Sequence, residues 1–130
     1  MISAVSTGQV PFRITDIDLG FQEAEGVIRF ENGRVVLEYR IKDALGLSVR
    51  SEKKGLHLPM EELVTLEIRD WLVSLRLYLA VRSIRSVSEL PGRHSGELTL
   101  KVSRKYRRLL YEFGSSTRLA LTQYRFRQHG

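Results

Sequence analysis

The chain has 130 residues, of which 42% are hydrophobic and 28% charged, the composition of one globular domain rather than of a disordered segment. It contains no cysteine, which excludes disulfides, thiolate catalysis and cysteine-based zinc sites and suits a reducing compartment. The net charge is +6, and residues 101–130 hold eight Lys or Arg against the single acid Glu112.

The N-terminal stretch has no basic start followed by an apolar run, so no signal peptide is predicted. No uncharged apolar stretch reaches the roughly 20 residues of a membrane-spanning helix. We therefore expect a cytoplasmic protein. Residues 1–25 are predicted to form an N-terminal extension, with one extra strand through Phe12, Ile14 and Ile17 as an option.

A β-hairpin is centred on Asn32-Gly33, the pair that favours the positive φ angles of a tight two-residue turn. This turn sets Phe30 opposite Val35 and Ile28 opposite Leu37. The apolar residues of both strands then share one buried face. Further turns are predicted at 43–46 and 52–55, with short strands on either side of the second turn, through Leu47 and Val49 and then through Leu56 and Leu58.

The stretch from Gly55 to Ile84 is compatible with either one long helix or two strands. As a helix it would be apolar on nearly all sides. As strands, residues 64–68 and 73–81 each alternate apolar and mostly polar side chains, and the parity changes between them. Two strands joined by a turn near Arg69–Leu72 account for every residue, so we predict strands.

The C-terminal part is predicted to contain a loop over residues 86–96, a strand over 97–102 and then an amphipathic helix. Ser103 is a favourable N-cap for this helix. Gly114 marks a place where the helix could end or kink. The residues from Tyr124 onward are expected to be loose, within a tail over 122–130.

Short antiparallel strands followed by one C-terminal helix, together with the step Leu58-Pro59, Leu63 and an alternating strand, resemble the pleckstrin-homology-like (PH-like) domain of bacterial proteins. The resemblance covers about residues 26–121. It implies a mainly β fold, a PH-like antiparallel barrel or sandwich of about seven strands closed by one C-terminal amphipathic helix. Phosphoinositide-binding PH domains carry a basic cluster at the loop between their first two strands. Here that loop is only Asn32-Gly33, so we do not infer this specificity.

No catalytic or cofactor-binding motif is present. The three histidines, His57, His94 and His129, have no metal-ligand spacing, and no phosphate-binding loop or nucleophile elbow occurs. The sequence therefore predicts a non-enzymatic interaction module without a cofactor, which binds a protein partner or forms a homo-oligomer.

The residues that resist a purely structural explanation are Arg104, Lys105, Arg107 and Arg108, because cations at a helix start oppose the helix dipole. Two hypotheses account for them. They pair with acids such as Glu23, Glu25 or Glu52, or with acids across a subunit interface. Alternatively, they contact an external polyanion, either nucleic acid or an anionic membrane surface.

Overall fold

The computed structural model describes residues 8–17, 22–43, 53–87 and 96–129. These residues form seven antiparallel strands in one sheet and one C-terminal helix, which confirms the mainly β fold class. The strands and the helix are β1 (Val10–Ile17), β2 (Gln22–Glu31), β3 (Arg34–Asp43), β4 (Lys54–Pro59), β5 (Leu63–Asp70), β6 (Leu75–Val81), β7 (Glu97–Val102) and α1 (Arg107–His129). Short 3₁₀ turns cover Met60–Glu62, Ile84–Val87 and Arg104–Tyr106.

The hairpin between β2 and β3 has the predicted register. Phe30 lies opposite Val35 and Ile28 opposite Leu37. Asn32 and Gly33 take φ angles of 53° and 77°, as a tight turn with two left-handed residues requires. The alternation of apolar side chains and the Asn32-Gly33 turn therefore predicted both the strands and their pairing correctly.

The N-terminal strand is confirmed, and it lies at the centre of the sheet. The strand order is β4-β3-β2-β1-β7-β6-β5, so β1 joins the two halves. Phe12, Ile14 and Ile17 are buried in the core. The predicted boundary between residues 25 and 26 falls inside β2, which is continuous from Gln22 to Glu31.

The ambiguous stretch forms two strands, as predicted. Leu66 lies opposite Leu79 and Ile68 opposite Leu77 in β5 and β6. The parity changes in the connecting turn at residues 71–74, slightly later than expected. The strand through Leu56 and Leu58 is β4, whereas the predicted strand through residues 47 and 49 lies outside the described residues, as does most of the loop over 86–96.

The sheet must be strongly curved, because its two edge strands are consecutive in the chain. Seven strands about 4.8 Å apart would hold the edges of a flat sheet roughly 29 Å from each other. Only the turn Met60–Glu62 joins β4 to β5, and three residues of 3₁₀ helix span about 6 Å. Within the described residues β4 and β5 do not pair, so the curved sheet is not closed into a barrel.

Helix α1 covers the apolar interior of this curved sheet. Leu110, Phe113 and Leu121 are buried in the core. Gly114 neither ends the helix nor is exposed; a Cβ there would lie 2.8 Å from the Ile68 side chain, so glycine lets the helix approach β5 closely.

The prediction that residues from Tyr124 onward are loose is wrong for residues 124–129, which continue the helix. Tyr124 packs against the core, and the Arg125 guanidinium donates a hydrogen bond to the Val64 carbonyl. Arg118, two turns earlier, donates to the Leu66 carbonyl at 3.3 Å. The helix end is therefore held by contacts to the edge of β5, which periodicity alone does not reveal.

Candidate anion-binding surface

Four cationic side chains form one row across the outer face of the sheet. Arg69 of β5 lies opposite Arg76 of β6, Arg76 lies opposite Lys101 of β7, and Lys101 lies opposite Arg13 of β1. We call Arg69, Arg76, Lys101 and Arg13 the cation row. The row places one positive charge on each of four strands that are neighbours in the sheet. Adjacent strands are about 4.8 Å apart, so each charge lies close to the next.

In the described part of the chain most of the charge in the cation row is unpaired. Glu25 of β2 lies opposite Arg13, but the Glu25 carboxylate pairs with Lys42 at 2.8 Å. Arg69 donates to Glu67 at 2.6 Å, which raises the pKa of Arg69, and its guanidinium lies 4.6 Å from the Tyr78 ring centroid. Among the described residues, Arg13, Arg76 and Lys101 form no ion pair. Like charges directly opposite each other in a sheet cost roughly 0.2–1 kcal/mol per pair, so this arrangement does not favour stability.

The predicted residues at the helix start lie beside the same end of the sheet. Ser103 occupies the N-cap position of the turn Arg104–Tyr106, but its side chain makes no capping hydrogen bond, contrary to expectation. The α-helix begins only at Arg107. Lys105 and Arg108 remain exposed; Lys105 lies 5.2 Å from the Tyr106 ring centroid.

Internal pairing of Arg104 and Arg107 is observed, but with an acid that the sequence did not suggest. Both guanidinium groups donate to the carboxylate of Asp70 at the end of β5, Arg104 at 2.7 Å. The hydrogen bonds from Arg107 and then from Arg104 lower the pKa of the Asp70 carboxyl group, and the bond to Asp70 raises the pKa of Arg107. Arg104 also donates to the carbonyl of Trp71. The helix start is thereby fixed to the end of the β5–β6 hairpin.

The remaining pairings differ from the prediction as well. Glu23 and Glu25 pair with Lys42, at 3.5 and 2.8 Å, rather than with the helix. Arg108 lies 3.5 Å from Glu112, one helical turn away, where both side chains are largely exposed. Glu52 lies outside the described residues.

An exposed apolar turn adjoins both the cation row and the helix start. The Trp71 amide donates to the Ser74 carbonyl at 2.8 Å and closes the turn between β5 and β6. Trp71, Leu72 and Val73 are 71%, 87% and 86% exposed. We call these three residues the apolar turn. Arg69 precedes it on β5, Arg76 follows it on β6, and Arg104 contacts its backbone.

A cavity of about 720 Å³ opens on the outer face beside the cation row. Its wall includes Arg13, Lys101 and Lys105, with Tyr106 next to them. Glu25 and Glu38 also line it. The Glu25 carboxylate pairs with Lys42 at 2.8 Å, and the Glu38 carboxylate is bound by Arg29 at 2.6 Å, a hydrogen bond that lowers the pKa of Glu38. The cavity thus continues the positive surface from the row toward the helix start.

In the described ranges no group of three His, Cys, Asp or Glu side chains could hold a metal ion. None of the described helical segments is both long and apolar enough to pass through a bilayer. Comparison with protein-family models, with curated proteins and with solved structures gives no match. The resemblance to PH-like domains therefore stays a prediction from the sequence.

The cation row could not have been found from the sequence alone. Its four members come from residues 13, 69, 76 and 101, which are scattered along the chain. They meet only because the strand register aligns them. The apolar turn left a weaker signal, since Trp71 and Leu72 break the alternation that the flanking strands follow. Val73 continues that alternation and was predicted to begin the second strand, but it lies in the turn and is exposed.

Proposed function

We propose that the protein is a non-enzymatic, cytoplasmic interaction module, PH-like in architecture, that binds an anionic partner. The binding surface consists of the cation row together with Arg104, Lys105, Arg107 and Arg108. The observation that carries this proposal is the row itself, in which three of the four adjacent cations form no ion pair among the described residues and Lys101 has a cation opposite it on both sides.

In the free protein the cation row costs free energy, because like charges lie opposite each other on neighbouring strands. A sequence selected only for stability would alternate acids and bases across neighbouring strands, as β2 and β3 do where Glu31 faces Arg34 and Glu25 faces Arg40. An anionic partner relieves the repulsion in the row and gains several charge-assisted contacts at once.

The helix start adds charge to the same surface. Asp70 neutralises only part of the positive charge of Arg104 and Arg107, and Lys105 has no ion pair in the described part of the chain. Lys105 lines the cavity that also contains Arg13 and Lys101.

Salt-dependent retention on immobilised heparin tests the proposal. The variant Arg76→Glu with Lys101→Glu is compared with Arg34→Glu with Lys54→Glu, which makes the same change in net charge at exposed positions on β3 and β4. We expect the first variant to elute at much lower salt than the wild type and the second to elute near it. Equal shifts for both variants would mean that net charge alone governs binding and would overturn the proposal.

A protein partner, including a second copy of the chain, is the second candidate, and the outer edge of β4 favours it. Helix arginines contact the edge of β5, whereas in the described residues no strand pairs with the outer edge of Lys54–Pro59. Such an edge offers backbone donors and acceptors to an added strand.

Sedimentation velocity over a range of concentrations tests self-association at this edge. Replacement of His57 by proline removes one edge donor and should abolish association if β4 mediates it. A monomer at every concentration would count against self-association and leave only a different protein as the partner of this edge.

A further inference from the structure

We infer that the anionic partner is a lipid bilayer and that the apolar turn inserts into it. This inference rests on the proposed function, since it names the partner of the same cationic surface. The structural reason is the position of Trp71, Leu72 and Val73 at the tip of a hairpin with cations on both sides.

The apolar turn is exposed at a position in the fold where polar residues are usual. A four-residue connection between strands ordinarily contains Gly, Asn, Asp or Ser, which suit turn geometry and solvent. Here Ser74 is the one residue of that kind in the connection, and three consecutive large apolar side chains are exposed beyond the last register pair, Asp70 with Leu75. Contiguous exposed apolar groups of this kind mark interaction sites.

The backbone under the apolar turn is held in place. Arg104 donates to the Trp71 carbonyl and to Asp70, and Arg107 donates to the same carboxylate. The Trp71 amide is satisfied by the Ser74 carbonyl. The apolar side chains are therefore presented on a fixed base, so that little conformational order has to be gained on binding.

The chemistry of the turn and of its surroundings matches the layers of an anionic membrane. Trp is enriched at the boundary between lipid headgroups and acyl chains, and Leu and Val fit the acyl region just below. Arg69, Arg76 and Arg104 lie next to the base of the turn, at the depth of the phosphate groups when the tip inserts. Each cation near an anionic leaflet strengthens binding about fivefold.

Nucleic acid fits this surface less well. A nucleic acid surface that binds through stacking needs aromatic side chains on which successive bases lie. Leu72 and Val73 offer no such face, and they occupy the most prominent positions of the turn, at 87% and 86% exposure. Lipid insertion is the contact that uses all three side chains of the turn.

The only tryptophan of the chain is Trp71, so its fluorescence reports directly on the turn. The experiment adds vesicles of phosphatidylcholine, with or without phosphatidylserine, to the full chain, and measures both sedimentation with the vesicles and the emission maximum. We expect binding and a blue shift with the anionic vesicles and neither with the neutral ones.

Leu72→Ser is the test variant, and Leu119→Ser is the matched control, because Leu119 is also exposed, at 60%, but lies on α1. We expect Leu72→Ser to bind anionic vesicles about tenfold more weakly, as burial of a leucine side chain implies, and Leu119→Ser to bind like the wild type.

The outcomes separate the two proposals. Heparin retention that depends on the cation row, with no emission shift on anionic vesicles, would overturn bilayer insertion and leave the proposed function standing. Specific binding of an oligonucleotide in place of vesicles would also overturn it. Failure of both heparin and vesicle binding would overturn the proposed function itself.

Discussion

Replacement of Lys101 by glutamate should make the protein more stable while it weakens anion binding. Lys101 lies between Arg13 and Arg76, with one cation directly opposite on each neighbouring strand. At a charge separation of about 7 Å in water each repulsion is about 0.6 kcal/mol. Screening at physiological salt reduces it to roughly 0.3 kcal/mol. Reversal of the charge converts two repulsions into two attractions, a gain of about 1 kcal/mol.

Thermal unfolding measured by circular dichroism is the assay. For a domain of this size the gain corresponds to a rise in Tm of about 3 °C. It should largely disappear in about 1 M NaCl, where the screening length falls to about 3 Å. The matched control is Arg34→Glu, which makes the same change in net charge but faces Glu31 across the hairpin and should lower Tm. A lower Tm for Lys101→Glu, or equal shifts in both variants, would refute the reasoning that the row is internally repulsive.

Three other predictions concern the scaffold. Gly26→Ala should destabilise the fold by about 3 kcal/mol or more in urea unfolding, because the new Cβ would lie 1.8 Å from the Glu38 carbonyl oxygen; an unchanged midpoint would contradict the close approach of β2 to β3. The double variant Arg118→Gln with Arg125→Gln should associate with rising concentration in sedimentation velocity, since it uncovers the β5 edge; a persistent monomer would show that these arginines do not protect it. Hydrogen bonds from Arg107 and Arg104 hold the pKa of Asp70 below its ordinary value, so its stabilising contribution is present above about pH 4 and is lost as the pH falls through the lowered pKa. Asp70→Asn should therefore be less stable than the wild type at pH 7, and the difference should shrink as acid protonates Asp70. An equal difference at neutral and at acid pH would contradict this linkage.

Much of the fold follows from side-chain alternation. The hairpin at Asn32-Gly33 and the strand pair β5–β6 are local pairings, in which turn chemistry and period-two patterning agree. The central position of β1 was not predictable in this way, since it depends on pairing with β7, which lies more than eighty residues further along the chain. The prediction of a loose C-terminal end is wrong because Arg125 donates a hydrogen bond to a distant strand and not within its own helix.

The candidate site, too, could be predicted from the sequence only in part. The cations from Arg104 to Arg108 form a run in the sequence and conflict visibly with the helix dipole, so they could be singled out. Their actual partner, Asp70, is 34 residues from Arg104 in the chain and had no distinguishing pattern. Local charge conflicts can be read from the sequence, whereas the strand register that builds the cation row is a property of the folded sheet.

Depth-dependent quenching of Trp71 fluorescence by brominated lipids tests the central claim most directly. Bromine atoms placed high on the acyl chains of anionic vesicles should quench Trp71 strongly, and those placed deep in the bilayer should quench it less, because the indole is expected at the interface. Sedimentation of the protein with the vesicles in the absence of any quenching would show that the apolar turn stays in water, and would contradict the account.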